Sequence, residues 1–370
     1  MEKNNVLGLE DQVSFNLMAL YEKYGYKKYK MSKFEEYDLY LENKNFLKSE
    51  NVIAFNDPTG KLMALKPDVT LSIAKNTEEN EKSRKLFYSE HVYRVSGNMH
   101  EFKEMAQIGL EFIGEVDTYS LAEVLLLAKK SLSVISPKYV LDVSHMGLVI
   151  GLLDETGLPF DVREEISSAI GTKNAPEIKK ICNNYGVEPS LCEKLSVLAS
   201  LYGSVEKILP EARLLVVNET TRMAVAELEA LNELLTACGE SDNINIDFSV
   251  VSDMNYYNGI TFCGYVENVP GTILSGGRYD NLLFRMGKNS GAVGFAVYLD
   301  LLSYLDNSAE EFDVDVLLVY DENVPAKAVF DAVNKLIADG KTVRTSITEN
   351  VNVKYKSLER LAFVCGRDGK

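Results

Sequence analysis

The sequence has few residues from which a metal centre or a disulfide framework could be built. The five cysteines show no CxxC spacing and the three histidines are scattered, which argues against a structural zinc site. We therefore expect no metal ligands, and we interpret the cysteines as reduced thiols of a cytoplasmic protein. These residues are Cys182, Cys192, Cys238, Cys263 and Cys365, and His91, His100 and His145.

Long apolar runs and basic clusters are also lacking. No apolar run approaches the roughly 18 residues of a membrane span, and the opening MEKNNVLGLEDQ lacks the charge and apolar pattern of an export signal. The formal charge of −16 repels polyanions and no Lys/Arg cluster opposes it, so we expect neither a membrane nor a nucleic acid as partner. The 370 residues are of ordinary globular composition and sufficient for two or three domains.

Helix and strand signals alternate in the first part of the chain. A helix is predicted at Asp11–Tyr24, and the residues Asp57 to Gly60 form a type I turn between two short strands. A helix entered through Pro67 follows, and then the strands KLFYSEHVYRV and EMAQIGLEFIG. Asp117 or Thr118 caps a further helix, and the strand KYVLDVSHMG ends this part. No internal repeat is visible.

The remainder has two different patterns. Residues Leu148 to Cys238 are predicted to be an inserted helical segment, after which strands return at INIDFSVVSD, YYNGITFCGYV and AVGFAVYL; we interpret SGGRYD as a Gly-Gly turn carrying Arg278. Beyond DNSAEEFD the pattern predicts a β–α–β unit, a short helix and a last strand. The predicted fold is α+β, a mostly antiparallel sheet with helices on one side. The predicted domain limits are 1–147 with 239–308, 148–238, and 312–370.

The segment MAQIGLEFI predicts a strand with two unlike faces. One face carries Ile108, Leu110 and Phe112, and the other carries Gln107, Gly109 and Glu111. An amide and a carboxylate thus lie about 13 Å apart along the strand, and a glycine between them often marks close approach of another group. Two interpretations remain open, a small polar ligand held at both ends or a solvated outer face of the sheet.

Five further candidate residues, in three groups, are ambiguous individually. Arg94, on the preceding strand, suits a carboxylate or phosphate or is a surface arginine. Asp68 and Thr70, at a helix start, form an ammonium-binding pair or simply cap the helix. Tyr256 and Tyr257 bind a ligand or flank a hairpin.

The order of these segments resembles the catalytic core of class II histidyl-tRNA synthetases. The segments are LKPDVT, VYRV with MAQIGLEFIG, NYYNGITF, SGGRYDNLL and AVGFAVYLDLL, and the resemblance covers roughly residues 8–305. It implies a class II synthetase-like antiparallel sheet flanked by helices, with a helical insertion and a small C-terminal α/β domain like a shortened anticodon-binding domain.

The resemblance also implies a histidine site and the role of each residue in it. Asp68, Thr70 and Gln107 would hold the ammonium and carboxylate of histidine. Glu111 and Tyr257 would hold the imidazole, and Arg94 is the motif 2 arginine on the carboxylate side. With Tyr256 beside Tyr257, these residues are the predicted histidine-binding set.

Departures from the synthetase pattern concern the nucleotide. Ser252 stands where a catalytic arginine is usual, Lys66 replaces the arginine of an LRP motif, and Leu299-Asp300 replaces a Glu-Arg pair. The segment VSGNMHEFKE has Lys103 as its one lysine or arginine. Because adenylation needs cations where phosphate charge accumulates, we expect no adenylate synthesis and no catalytic residue.

The combination of a retained histidine pocket and a depleted ATP site makes the chain similar to the regulatory subunits of ATP phosphoribosyltransferase, which are paralogues of the synthetases. Asp68, where synthetases usually have Glu, favours this family. The resemblance implies a short-form catalytic subunit as partner in a hetero-octamer, a homodimer through the core, L-histidine as effector and no cofactor. The alternatives are a divergent histidyl-tRNA synthetase and a free-standing histidine-binding sensor.

Overall fold

The computed structural model describes residues 7–43, 52–77, 82–95, 101–251, 256–305 and 312–362. The chain divides into two compact units, Met1–Leu305 and Asp306–Lys370. Within the described ranges, no helix is both long and apolar enough to cross a membrane. The domain limits predicted within the first unit stay a prediction.

The first unit begins with α1 and a small antiparallel sheet. The predicted hairpin is confirmed, since the Gly60 N–H donates to the Asp57 carbonyl (3.0 Å) and the Thr59 N–H donates to Asp57 Oδ1 (2.8 Å). The first helix starts and ends slightly earlier than the predicted Asp11–Tyr24. The elements are α1 (Leu9–Lys23), β1 (Lys27–Lys28), β2 (Phe34–Glu36), α2 (Tyr37–Glu42), β3 (Ala54–Asn56), β4 (Leu62–Leu65) and α3 (Thr70–Asn76).

Long strands and a helical segment follow. Asp117 caps α4 as predicted, because its carboxylate accepts the Ser120 N–H (2.8 Å). The helical character of residues 148–238 is confirmed, apart from the short strand β8. The elements are β5 (Ser83–Val95), β6 (Phe102–Gly114), α4 (Thr118–Ile135), β7 (Tyr139–His145), α5 (Met146–Glu155), α6 (Phe160–Gly171), α7 (Ala175–Tyr185), α8 (Pro189–Leu198), β8 (Tyr202–Ser204), α9 (Val205–Leu214) and α10 (Glu219–Ala237).

The last part of the first unit completes the main sheet. Its elements are β9 (Ile244–Asp247), β10 (Ile260–Val266), β11 (Leu274–Arg278), α11 (Asp280–Arg285), β12 (Gly291–Tyr298) and a 3₁₀ helix (Leu299–Tyr304). The sheet has the order β1-β5-β6-β12-β11-β10-β7-β9-β8. All neighbours are antiparallel except β1 with β5 and β7 with β9. The predicted fold class is therefore confirmed, with two parallel pairings near the ends of the sheet.

The prediction that helices lie on one side of the sheet is wrong. The face with Ile108, Leu110 and Phe112 packs on α1, α4 and the inserted helices in one hydrophobic core. The opposite face carries a second cluster, in which Tyr88 of β5 and Ala292 of β12 pack with α3 and α11. Apolar side chains of these two short helices thus form a second layer, and the candidate site lies on this face of the sheet.

The prediction of a turn at SGGRYD is also wrong. Leu274–Arg278 is the strand β11, hydrogen-bonded between β10 and β12. A Cβ at residue 276 would overlap the Gly294 carbonyl, and one at residue 277 would lie 2.7 Å from the Ile260 carbonyl. These glycines therefore permit close packing inside the sheet, and they do not mark a change of chain direction.

The second unit is a three-stranded parallel sheet with a helix. The β–α–β prediction is confirmed by β13 (Val314–Tyr320), α12 (Ala326–Ala338) and β14 (Val343–Ser346). The predicted short helix is wrong, since Tyr355–Leu361 forms the strand β15, parallel to β13. Its apolar residues recur every third position, Tyr355, Leu358 and Leu361, which imitates a helix; pairing with the buried β13 overrides that local preference.

Candidate functional site

The predicted histidine-binding residues surround one pocket on the face of the sheet that carries the second hydrophobic cluster. The predicted residues that line it are Asp68, Thr70, Arg94, Gln107, Glu111, Tyr256 and Tyr257. Gln107 is 4% and Glu111 1% exposed, so the solvated-face interpretation of this strand is wrong. Strand alternation puts the amide and the carboxylate on the same face of β6. Because this face is also covered by protein, the two groups are buried in the pocket.

Gly109 makes room for a protein side chain between these two groups. Tyr88 lies opposite Gly109 in the β5–β6 ladder, and a Cβ at residue 109 would overlap its phenol ring and hydroxyl. The Tyr88 ring therefore lies against Gly109, the residue between Gln107 and Glu111 on this face of β6, and all three side chains line the same pocket. The close approach that the glycine indicated is real, and Tyr88 accounts for it.

Glu111 is the most buried charged group of the pocket. Thr70 Oγ1 donates to its Oε1 (2.6 Å), and the Tyr279 hydroxyl donates to its Oε2. The pKa of this carboxyl is raised to about 8, chiefly by burial and also by the nearby Asp68 carboxylate, against the opposing effect of the two hydroxyls. A buried carboxyl with a raised pKa is suited to pair with a cation or a ring N–H.

The helix-start interpretation of the Asp68–Thr70 pair is confirmed, and the ammonium-binding interpretation stays a prediction. Asp68 Oδ1 accepts the Leu71 N–H (2.9 Å) and thus fixes the start of α3. Both side chains also line the pocket, and Thr70 holds Glu111. A helix cap accordingly positions two groups of the site.

The segment that carries this pair is attached to β5. Arg94 Nε donates to the Pro67 carbonyl (3.1 Å), and the Tyr93 N–H donates to the Lys66 carbonyl (2.9 Å). The Lys66 ammonium is fully buried and pairs with the Glu90 carboxylate. Lys66 is thus neutralised by a protein carboxylate, and Arg94 both supports the segment and lines the pocket.

Three tyrosines form the wall next to Glu111. The rings of Tyr256 and Tyr257 meet edge to face at 4.5 Å between centroids, and Tyr256 lies 5.8 Å from Tyr279. Burial raises the pKa of Tyr256 and of Tyr279 well above the usual value, so both hydroxyls stay protonated donors. The wall thus offers both aromatic rings and hydroxyl groups, a combination that suits an imidazole ring.

Several pocket residues escaped the sequence prediction. Tyr279 holds Glu111, and Ser275 and Tyr298 share a hydrogen bond (2.6 Å) at the opposite side. In a strand, Ser275, Gly277 and Tyr279 share one face, so a strand interpretation of SGGRYD would have revealed Tyr279. The unpredicted lining residues are Tyr88, Ser275, Gly276, Tyr279, Gly294, Phe295, Ala296 and Tyr298.

Asp300 has a structural partner. The β6–β12 ladder ends at Gln107 and Tyr298, and Asp300 Oδ1 accepts the next β6 amide, that of Ala106 (3.0 Å). Asp300 therefore continues the contact between β12 and β6 beyond the end of their ladder. Of the other departures from the synthetase pattern, Lys103 is exposed on β6, whereas Ser252 lies outside the described residues.

Comparison with known proteins places this geometry in a family. The family model for histidyl-tRNA synthetase matches residues 9–302. The chain belongs to the histidyl-tRNA synthetase family. The match spans the whole main sheet, the pocket and the helical segment, so the resemblance predicted from the ordered motifs is confirmed.

Relatives within this family include regulatory subunits. An ATP phosphoribosyltransferase regulatory subunit of Clostridium kluyveri is 29% identical over 323 residues, 84% of this chain and 82% of the relative. The structure of an ATP phosphoribosyltransferase regulatory subunit/histidyl-tRNA synthetase from Bacillus halodurans matches with a TM-score of 0.77 and 23% identity over 96% of this chain and 95% of that chain. A chain of the ATP phosphoribosyl transferase (HisG:HisZ) complex from Thermotoga maritima matches with a TM-score of 0.61 and 20% identity over 80% and 98%.

Proposed function

We propose that this protein is a regulatory subunit of ATP phosphoribosyltransferase that binds free L-histidine as an effector. The observation that carries the proposal is Glu111, a buried carboxyl held by two hydroxyls in a pocket walled by tyrosines. A basic heteroaromatic ring suits such a group, because the carboxyl can pair with its N–H or its cationic form. The names of the similar curated proteins support the regulatory assignment.

Each end of histidine has a partner in this proposal. Glu111 and Tyr257 bind the imidazole, with Tyr256 packed beside them. Asp68 and Thr70 receive the ammonium group, since Asp68 supplies charge and Thr70 a directed hydrogen bond. Gln107 and Arg94 meet the carboxylate.

The proposed role is non-catalytic. Activation of an amino acid by ATP needs cations at the phosphates, and loss of one such donor costs about 10²–10³ in rate. Here Lys66 is paired with Glu90, and Asp300 places a carboxylate where the β6–β12 ladder ends. We therefore expect no histidine-dependent ATP–pyrophosphate exchange.

The proposed partner is the short-form catalytic subunit, in the cytoplasm, with a homodimer of this chain's core inside a hetero-octamer. The HisG:HisZ complex from Thermotoga maritima, one chain of which has this fold, supports such a partnership. Histidine changes the activity of the complex only if its active and inhibited states bind histidine with different affinity.

Co-expression with a short-form catalytic subunit tests the proposal. We expect the two chains to co-purify, the transferase rate to rise on complex formation, and histidine to lower it. Failure to co-purify together with intact histidine binding would favour a free-standing sensor. Histidine-dependent pyrophosphate exchange would favour a divergent synthetase. Either result would contradict the proposed function.

A further inference from the structure

A row of polar and charged side chains joins the helical segment to the pocket. His145, at the end of β7, donates from Nε2 to Glu227 Oε1 on α10 (3.1 Å), because its Nδ1 already accepts the Gly147 N–H (3.0 Å). The guanidinium of Arg278, at the end of β11, reaches Glu227 Oε2 through Nη1 (3.5 Å). Arg278 thus connects α10 to the strand that leads directly into Tyr279.

The second partner of Arg278 organises both tyrosine-bearing segments. Arg278 Nε donates to Asp280 Oδ2 (2.8 Å), which also accepts Asn258 Nδ2 (3.1 Å). The Asp280 N–H donates back to Asn258 Oδ1 (3.0 Å), and Asp280 Oδ1 accepts the Ala292 N–H (2.9 Å). Asn258 follows Tyr257 and Asp280 follows Tyr279, so one carboxylate fixes both segments and β12.

The arrangement is specific for an arginine. The side chains of Arg278 and Glu227 are each 25% exposed, and that of Asp280 is 6% exposed, so these charges are largely removed from water. A planar fork can meet two carboxylates from fixed directions, which a lysine ammonium cannot do in the same geometry. The Arg278 stem needs Gly259, where a Cβ would lie 2.9 Å from Arg278 Cδ.

We propose that Arg278 is a positioning residue that couples α10 to the imidazole clamp, defined as Glu111, Tyr257 and Tyr279. Through Glu227 it holds the helical segment, and through Asp280 it sets the two tyrosines around Glu111. A change in the position of α10 then changes the affinity for histidine, and by reciprocity histidine binding changes the position of α10. The inference rests on the proposed function of the pocket.

The test compares two glutamates of the same helix. Glu227→Gln weakens the link to Arg278, whereas Glu229→Gln, at a glutamate of similar exposure, removes an ion pair with the exposed Arg213 and serves as the matched control. We expect Glu227→Gln and Arg278→Lys to weaken histidine binding about tenfold and Glu229→Gln to change it less than about twofold. The double variant Glu227→Gln/Arg278→Lys is expected to lose less than the product of the single losses.

Two further readouts separate positioning from general loss of structure. Glu227→Gln and Arg278→Lys are expected to lose affinity for L-histidinol by the same factor as for histidine, because histidinol keeps the imidazole and lacks only the carboxylate. Gln107→Ala, at the carboxylate end, is expected to weaken histidine but not histidinol. Hydrogen exchange of the free protein should quicken at residues 256–262 and 274–283 in Glu227→Gln, and not in Glu229→Gln.

The outcomes distinguish this inference from the function on which it rests. If the parent protein binds histidine and the Glu227 and Arg278 variants bind it equally well with unchanged exchange, the coupling is contradicted and the proposed function stands. If Glu229→Gln weakens binding as much as Glu227→Gln, the effect belongs to α10 in general and the role of Arg278 is contradicted. If the parent protein binds no histidine, both proposals fail.

Discussion

Replacing Glu111 by glutamine is expected to abolish histidine binding, by about 100-fold or more in affinity, and to make the protein more stable at alkaline pH. Glutamine keeps the size of the side chain and can still bond Thr70 and Tyr279, but it cannot pair with a cationic ring. The affinity falls because a buried charge-assisted hydrogen bond is lost and the cationic imidazole is left without a counter-charge. Calorimetric titration with L-histidine measures the affinity, and equal affinity in the variant would contradict a role of Glu111 in histidine binding.

The stability of Glu111→Gln follows from the pKa of Glu111. Because this pKa rises from its usual 4.5 to about 8 in the folded protein, the folded state binds more protons than the unfolded state between these pH values. The parent protein therefore loses stability as pH rises from about 4.5 to about 8, and the variant lacks this loss. We expect the stability difference to grow by about 3–5 kcal/mol between pH 5 and pH 9. Urea unfolding at several pH values measures it; a difference independent of pH would contradict the assignment.

Histidine affinity should also depend on pH, with a maximum. The complex shares one proton between Glu111 and the imidazole. Below about pH 6.5 both the free imidazole and Glu111 carry a proton, so binding must release one proton to the solvent. Above about pH 8 neither group carries a proton, so binding must take one up from the solvent. Affinity is thus highest between these limits.

Replacing Gly294 by alanine is expected to damage both the fold and the pocket. A Cβ at residue 294 would overlap Glu111 Oε2 and the Leu110 carbonyl, so the carboxylate and the β6–β12 ladder must both shift. Overpacking of this kind costs about 3 kcal/mol or more, because backbone atoms are among the obstacles. We expect a clear fall in the free energy of unfolding and loss of histidine binding, measured by urea unfolding and calorimetry.

Gly171 offers the matched control for this substitution. It ends α6, and a Cβ there would meet only the Ser249 carbonyl at an ordinary 3.9 Å. Gly171→Ala is expected to change stability by less than about 1 kcal/mol and to leave histidine binding intact. If Gly294→Ala were as harmless as Gly171→Ala, the close packing of Glu111 against β12 would be wrong.

The site was more predictable from the sequence than the layer that builds it. Period-two alternation fixes which face of β6 carries Gln107 and Glu111, and the order of the motifs identifies the fold. Alternation says nothing of what covers a face, so neither the role of Tyr88 above Gly109 nor the second helical layer could be derived. Those features depend on contacts between residues far apart in the chain.

Glycine was the residue most easily misread. In SGGRYD the pair Gly276–Gly277 has the composition of a turn, whereas the structure uses it for close packing in a central strand. That error concealed Tyr279, the second hydroxyl on Glu111. Asp300 shows the converse case, since its unusual charge was noticed in the sequence but its bond to the Ala106 amide depends on where β12 stops pairing with β6.

Titration calorimetry of L-histidine tests the central claim most directly, with the full chain alone and in complex with a short-form catalytic subunit. We predict saturable binding with one site per chain that is lost in Glu111→Gln and is strongest between about pH 6.5 and pH 8. Absence of binding both to the chain alone and to the complex, with folded protein in each cell, would contradict the account.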